Sequence, residues 1–155
     1  MRSDTMQTRE TTRGSQAGVT LMELLTVMVV IGILAAIAVP SYRSYLLRAN
    51  RADAKSALLE VRVAQEKYFL QNNKYTDKVT DAPPTGLGMS GSTTHGYYAI
   101  SIPTLGTGAQ SYTAKATPIA GAGQTDDKKC DSFTLSDTGV RGITGTSPDS
   151  DSCWR

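Results

Sequence analysis

Nineteen consecutive residues, Leu24 to Tyr42, carry no charge, and they follow directly on a glutamate, Glu23. An α-helix rises about 1.5 Å per residue, so a run of this length reaches close to the roughly 30 Å hydrocarbon core of a bilayer. A helix apolar on every side cannot lie on the surface of a small soluble domain. It must sit in lipid or among other apolar helices. Glu23 sharpens the constraint, because a carboxylate inside an apolar span costs on the order of a few kcal/mol and calls for a partner or a pathway. Gly18 stands before the run, whereas a secretory leader places its small-residue cleavage site after it.

The stretch 1–18 is polar and has no apolar run of its own, with Arg2, Arg9 and Arg13 set against Asp4 and Glu10. Basic residues ahead of a span keep the N-terminus in the cytoplasm and send the following domain out. The chain has 155 residues, which leaves one small domain beyond the span, and a domain so small needs extra stabilisation. A net charge of +2 gives no case for polyanion binding by bulk charge. Cys130 and Cys153 both follow the span. An even count in an exported chain reads as a disulfide. Two unpaired thiols are the alternative, and a metal site is disfavoured because no CxxC exists and His95 is the single histidine. A bridge would close a loop with 22 residues between the cysteines, which the chain-entropy account values at roughly 3 kcal/mol.

From Val19 to about Asn72 the pattern is helical, broken in composition only by Gly32 and Pro40. Pro40 is expected to kink the helix near 37–39. Beyond it the helix turns amphipathic: Ala54, Ala57, Leu58, Val61, Ala64 and Tyr68 form one apolar stripe, with Arg51, Lys55, Arg62 and Glu66 largely opposite. Arg62 and Glu66 are spaced to pair. Eleven of the fourteen glycines and five of the six prolines follow residue 73, which ends any long helix. Tyr98, Ile100 and Ile102 alternate with Tyr97, Ala99 and Ser101, while Tyr112, Ala114 and Ala116, and then Phe133 and Leu135, alternate with polar neighbours. Each reads as a half-buried strand. Asp137-Thr138-Gly139 reads as a hairpin turn into a short strand at 140–143. The predicted fold class is α+β, with a three- or four-stranded antiparallel sheet covered by the second half of the long helix. Residues 73–95 are a connecting loop long enough to carry function.

The segment from Gly18 to Pro40 resembles the N-terminus of type IV prepilins: a short basic leader, Gly18, an apolar residue (Val19), Thr20-Leu21, Met22, Glu23, then an apolar helix with Gly32 and Pro40, followed by Ser41-Tyr42 and Tyr45. Val19 departs from the commoner Phe at the first mature position. An 18-residue leader is long for the type IVa branch, which makes Met6 a second candidate start. The resemblance implies the type IV pilin fold, cleavage between Gly18 and Val19 by a prepilin peptidase, N-methylation of Val19, and packing of the helix in a pilus core. It implies segments of 1–18 (removed leader), 19–42 (membrane and filament-core helix), 43–72 (its amphipathic half), 73–95 (loop) and 96–155 (sheet and disulfide-bounded region). Glu23 would neutralise the terminal amine of a neighbouring subunit, while Gly32 and Pro40 are weak points where such helices melt in the filament. The implied partners are other pilin subunits, the peptidase and an inner-membrane assembly platform. The subunit would sit in the inner membrane as a single-pass protein before assembly and in the extracellular pilus afterwards.

Residues 114–118, Gly121, Gln124, Asp127, Cys130, 133–135, Gly139 and Cys153-Trp154 further resemble the PilE-type minor pilins, the group that includes the DNA-receptor pilin ComP. The expected role is a minor pilin for pilus initiation and assembly, hence twitching motility, adhesion or DNA uptake. A DNA receptor for natural transformation and a type II secretion pseudopilin are the alternatives. DNA contact would require Lys115, Lys128, Lys129 and Arg141 on one face, where they could release counterions from phosphates. Lys128-Lys129 after Asp126-Asp127 also reads as a solvated turn, His95 as a solvated loop residue, and Trp154 as a cap on the sheet. Tyr42 and Tyr45 read as interface-belt aromatics. No catalytic constellation, metal site or cofactor motif is expected: the chain is an enzyme's substrate and not an enzyme.

Overall fold

The computed structural model describes residues 19–155; 1–18, including Gly18 of the cleavage motif, lie outside the described residues. The chain forms two compact units, one ending at Pro40 and one spanning Ser41–Arg155. A single helix, α1 (Leu21–Asn72), contributes to both, with Gly32 and Pro40 inside it.

In the first unit the large apolar side chains from Val19 to Val39 are exposed, from 51 % at Val27 to 82 % at Leu21. Burying a side chain of this kind is worth about 1.5–3 kcal/mol. Over this stretch that amounts to tens of kcal/mol, so water is not its resting environment. The helix is long and apolar enough to cross a membrane.

In the second unit a four-stranded antiparallel sheet runs in the order β1 (Tyr98–Leu105), β2 (Tyr112–Pro118), β3 (Ser132–Ser136), β4 (Arg141–Thr144). The alternation predicted for the strands is the one observed, save that Ser132 at the start of β3 is buried as well. Tyr98, Ile100, Ile102, Tyr112, Ala114, Ala116, Phe133 and Leu135 are all buried, and they meet Ala54, Ala57, Leu58 and Val61 of α1 in one core. Pro103 has no N–H to donate, and the β1–β2 register shifts between Ser101 and Thr104, on an edge strand where such a break is tolerated. Gly139, at φ +84°, supplies the left-handed position of the β3–β4 turn, closed by the Ser136–Val140 backbone bond. The last strand starts one residue later than expected, leaving Val140 exposed.

Three expectations for α1 are corrected. Gln65 takes the core position at the end of the stripe, with Ala64 and Tyr68 only half-buried. Its amide explains the exchange: Nε2 donates to the Thr76 carbonyl at 2.6 Å, and Oε1 accepts from the Thr76 N–H at 3.2 Å. Arg51 does not lie on the solvent side, because its guanidinium is held by the buried Asp127. Glu66 meets Tyr75 Oη at 3.3 Å, and the Arg62 guanidinium lies over Gly139.

The Cys130–Cys153 disulfide ties the turn before β3 to a short helix, α2 (Ser150–Trp154). Sequence reading missed α2; its signal was Asp149, whose side chain caps it by accepting from the Asp151 N–H at 2.9 Å. Trp154 does cap the sheet: its indole N–H donates to the Gly142 carbonyl at 3.1 Å and its ring meets Phe133 edge-on. The connection after α1 holds no helix or strand, and a cis peptide joins Pro83 to Pro84.

Candidate functional site

At the start of α1 the four residues Thr20-Leu21-Met22-Glu23 follow the S/T-x-x-E spacing of a helix capping box. Thr20 Oγ1 accepts from the Glu23 N–H at 3.2 Å, and the Thr20 carbonyl accepts from the N–H groups of Glu23 and Leu24. Helix starts leave such N–H groups without internal partners, so Thr20 lowers the cost of beginning a helix in an apolar setting. Glu23 lies in the first turn, where a negative charge is favoured by the helix dipole. Thr26, the one hydroxyl in the early apolar run, donates to the carbonyls of Met22 and Glu23 and so is satisfied within the helix. Val19 is exposed one residue before the cap. The role of Thr20 is legible in the sequence only as the S/T-x-x-E spacing.

The four cations proposed for DNA contact are divided. Lys115 is registered with Thr134, which pairs with Gly142, on the outer face of the sheet. Arg141 is paired with Leu135, which pairs with Ala114, and so projects on the opposite, helix-covered side. Lys128 and Lys129 are exposed on the turn before Cys130, and Lys128 Nζ donates to the Thr125 carbonyl at 2.7 Å.

A different basic group is assembled instead. The Arg141 guanidinium sits 5.3 Å from the centre of the Trp154 ring, a cation–π arrangement. Lys55 Nζ donates to the main-chain oxygen of Arg155 at 2.8 Å. The Lys55 amine is held below its ordinary value, first by burial and then by the positive charges of Arg51 and Arg141. Arg141, Trp154 and Arg155 border one depression with Asp151. Arg48, Arg51 and Lys129 border another of about 360 Å³, with Thr146, Ser147 and Ser152. Sequence reasoning missed Arg48, Lys55 and Arg155 because nothing local places α1 beside the C-terminus.

Under α1 lies a polar cluster. Arg51 Nε and Nη2 donate to Asp127 at 2.7 and 3.0 Å, and Gln124 Nε2 donates to the Leu47 carbonyl and to Asp127. His95 is not simply solvated: its Nδ1 lies 2.9 Å from Oδ1 of Asp53, whose side chain is only 7 % exposed. Arg43 reaches Asp126 at 3.0 Å, with both side chains largely in solvent. On the other flank of α1, Leu59, Val63 and Tyr68 form an apolar groove of about 610 Å³ with Pro83, Leu87 and Met89 of the connecting segment.

Comparison with known proteins assigns this architecture. Residues 13–39 match the prokaryotic N-terminal methylation motif, and residues 40–134 match the family described as type IV minor pilin ComP, DNA uptake sequence receptor. The chain is 40 % identical over 60 residues to the type IV major pilin protein PilA of Myxococcus xanthus, covering 39 % of this chain and 27 % of that one. It is 40 % identical over 87 residues to a fimbrial protein of Dichelobacter nodosus, covering 55 % and 51 %. It thus spans between about a quarter and a half of the length of these curated relatives. The fold is shared with the non-core minor pilin PilV of Neisseria meningitidis, at a TM-score of 0.50 and 17 % identity over 69 % of this chain and 95 % of that one. The family match takes in the end of the apolar run, the amphipathic half of α1, the first two strands and the start of the third, so this chain is a member of the type IV minor pilin family of ComP, the DNA uptake sequence receptor.

Proposed function

We propose that the chain is a minor subunit of a type IV pilus, held in the inner membrane by the first half of α1 until it joins the filament. The family match over residues 40–134 carries this reading. The capped, uniformly apolar start of α1 supports it, because such a helix needs lipid or other pilin helices around it. In this reading a prepilin peptidase cuts between Gly18 and Val19 and methylates the new amine. Glu23 then meets the Val19 amine of a neighbouring subunit, turning two costly charges into one pair. Gly32 and Pro40 are the places where α1 yields as the subunit leaves the membrane for the assembly platform. The chain is worked on by an enzyme and performs no catalysis of its own.

A narrower reading, favoured by the family description, is that the folded unit receives DNA. Arg141 over Trp154, with Lys55, Arg155 and the exposed Lys128 and Lys129, supplies cations around an aromatic edge. Lys115 would touch a duplex only from the opposite sheet face. Deleting the gene separates the readings. Loss of pili assigns an assembly role, whereas normal pili with lost transformation assign reception. Binding of duplex by the purified full chain that weakens steeply with salt belongs to the second outcome; no binding even at low salt removes it.

A further inference from the structure

The depression bordered by Arg48, Arg51 and Lys129 is not used by the N-terminal assembly motif, and it combines three features. First, its charge is uncompensated. Arg51 is neutralised by Asp127, but neither Arg48 nor Lys129 has a carboxylate within ion-pair distance among the described residues. Second, its floor is fixed. Gly145, at φ +140°, passes so close to the Lys129 carbonyl that no Cβ would fit, and the backbone bonds Thr146 N–H to Lys128 O (2.9 Å) and Ser147 N–H to Lys129 O (3.0 Å) follow. The Cys130–Cys153 bridge holds the same segment from its other end. Third, its height along α1 is set. Tyr42 and Tyr45, both exposed, are the aromatic pair at the end of the apolar run, and such residues mark the headgroup layer of a bilayer. Arg48 lies one helical turn beyond Tyr45, about 9 Å past Tyr42 along the axis. A headgroup layer is about 5–8 Å deep, and an arginine side chain on a flexible stem reaches back into it.

We infer that this pocket takes the phosphate of an anionic phospholipid headgroup while the subunit waits in the membrane. The inference rests on the membrane-held reading proposed above. Arg48 and Lys129 provide the charge that holds the phosphate, and Thr146, Ser147 and Ser152 line the wall with hydroxyls whose protons are already given to the carbonyls of Lys128 and Asp149. A volume of about 360 Å³ accommodates a phosphate with part of its glycerol. The contact ties this edge of the folded unit to the membrane surface before assembly.

The test uses the full chain reconstituted in vesicles of phosphatidylcholine, with and without phosphatidylglycerol, and reads amide hydrogen exchange across residues 144–152. Occupancy of the pocket suppresses local opening of this segment, so exchange slows by about fivefold or more in the anionic vesicles. The double substitution Arg48→Gln, Lys129→Gln, at two exposed positions that leave the core untouched, abolishes the difference. Inorganic phosphate added to phosphatidylcholine vesicles distinguishes the source: equal slowing at millimolar concentration means the pocket reads a free anion and overturns the lipid assignment. Equal protection by a short DNA duplex in place of the anionic lipid overturns it too, as does protection that survives the double substitution. Resistance of the reconstituted chain to alkaline extraction is scored in parallel. A chain that is extracted refutes membrane anchorage, whereas an anchored chain with lipid-independent exchange refutes only the pocket.

Discussion

The Arg51 guanidinium grips the Asp127 carboxylate at two points, 2.7 and 3.0 Å, with side-chain exposures of 12 % and 4 %. The pair joins α1 to the turn that leads into the disulfide, and Asp127 also accepts from the Cys130 N–H at 3.4 Å and from Gln124 at 3.3 Å. Removing one member of a buried pair strands the other, at about 3–5 kcal/mol, whereas replacing both by apolar groups is far cheaper. Asp127→Ala is therefore expected to destabilise the folded unit by that amount. Arg51→Met with Asp127→Leu should recover most of the loss. Chemical denaturation of the two variants checks it; equal losses in the single and the double variant would show the pair to be dispensable as a pair.

His95 and Asp53 provide a second tie, between the segment before β1 and the helix. The imidazole is 69 % exposed but the carboxylate is 7 % exposed, and Asp53 Oδ2 has no hydrogen-bond partner among the described groups. The cost of losing the contact thus falls on Asp53, as a buried acceptor left short of donors. His95→Ala is expected to cost about 1–3 kcal/mol. In a double-mutant cycle Asp53→Asn should remove most of that penalty. Additive effects would mean that the two side chains are neighbours without an energetic link.

Alkali should unfold the chain through its buried tyrosines. The Tyr112 hydroxyl is pushed up to about 12, first by burial and then by the negative charge of Glu66, and burial also raises Tyr98. A group whose pKa is higher when folded contributes its full stability below the unfolded value of 10.0 and loses it as pH rises to the folded value. Stability should hold to about pH 10 and decline between 10 and 12. Tyr112 Oη has no hydrogen-bond partner, so Tyr112→Phe should cost little at pH 8 and should flatten the decline. Denaturant midpoints at pH 8, 10 and 11.5 decide it; an unchanged slope in the variant would place the alkaline transition elsewhere.

What was legible in the sequence was whatever repeats with a local period. Leu58 and Val61 declare a helix face, and Tyr98-x-Ile100-x-Ile102 declares a strand face, because each residue's burial follows from its neighbours' spacing. Prepilin-like order around Gly18 to Pro40 was legible for the same reason, being contiguous. Apart from the local caps at Thr20 and Asp149, the misreadings involve partners distant in sequence. Gln65 reads as a polar interruption until Thr76 is folded against it, and Arg51 reads as a solvent residue until Asp127, 76 positions later, is beside it. Lys115 and Arg141 look equivalent as isolated cations. Only the strand register, through Thr134 for one and Leu135 for the other, puts them on opposite faces. The basic edge of Arg48, Lys55, Lys129 and Arg155 has no sequence signature, since the end of the chain must return to α1 before it exists.

The start of α1 separates two contributions that one substitution at Glu23 would mix. Thr20 acts within the subunit, through its bonds to the Glu23 N–H, while in the proposed assembly the Glu23 carboxylate would meet the amine of another subunit. Thr20→Ala is expected to cost about 1 kcal/mol of helix-start stability, with Thr20→Ser close to wild type. Glu23→Gln keeps the size, the helix position and the backbone bond but removes the charge. Insertion depends on the apolar run from Leu24 onward, so both variants should still resist extraction from membranes. Incorporation into sheared pili should differ. Stranding a buried charge at about 3 kcal/mol corresponds to roughly a hundredfold loss for Glu23→Gln, against about fivefold for Thr20→Ala. Quantitative immunoblotting of sheared and membrane fractions reads both, with mass spectrometry of the mature N-terminus confirming that Val19 is still exposed by cleavage. Wild-type incorporation of Glu23→Gln would mean that the carboxylate acts only as a first-turn acid favoured by the helix dipole, and that register in the filament comes from packing of the apolar run alone.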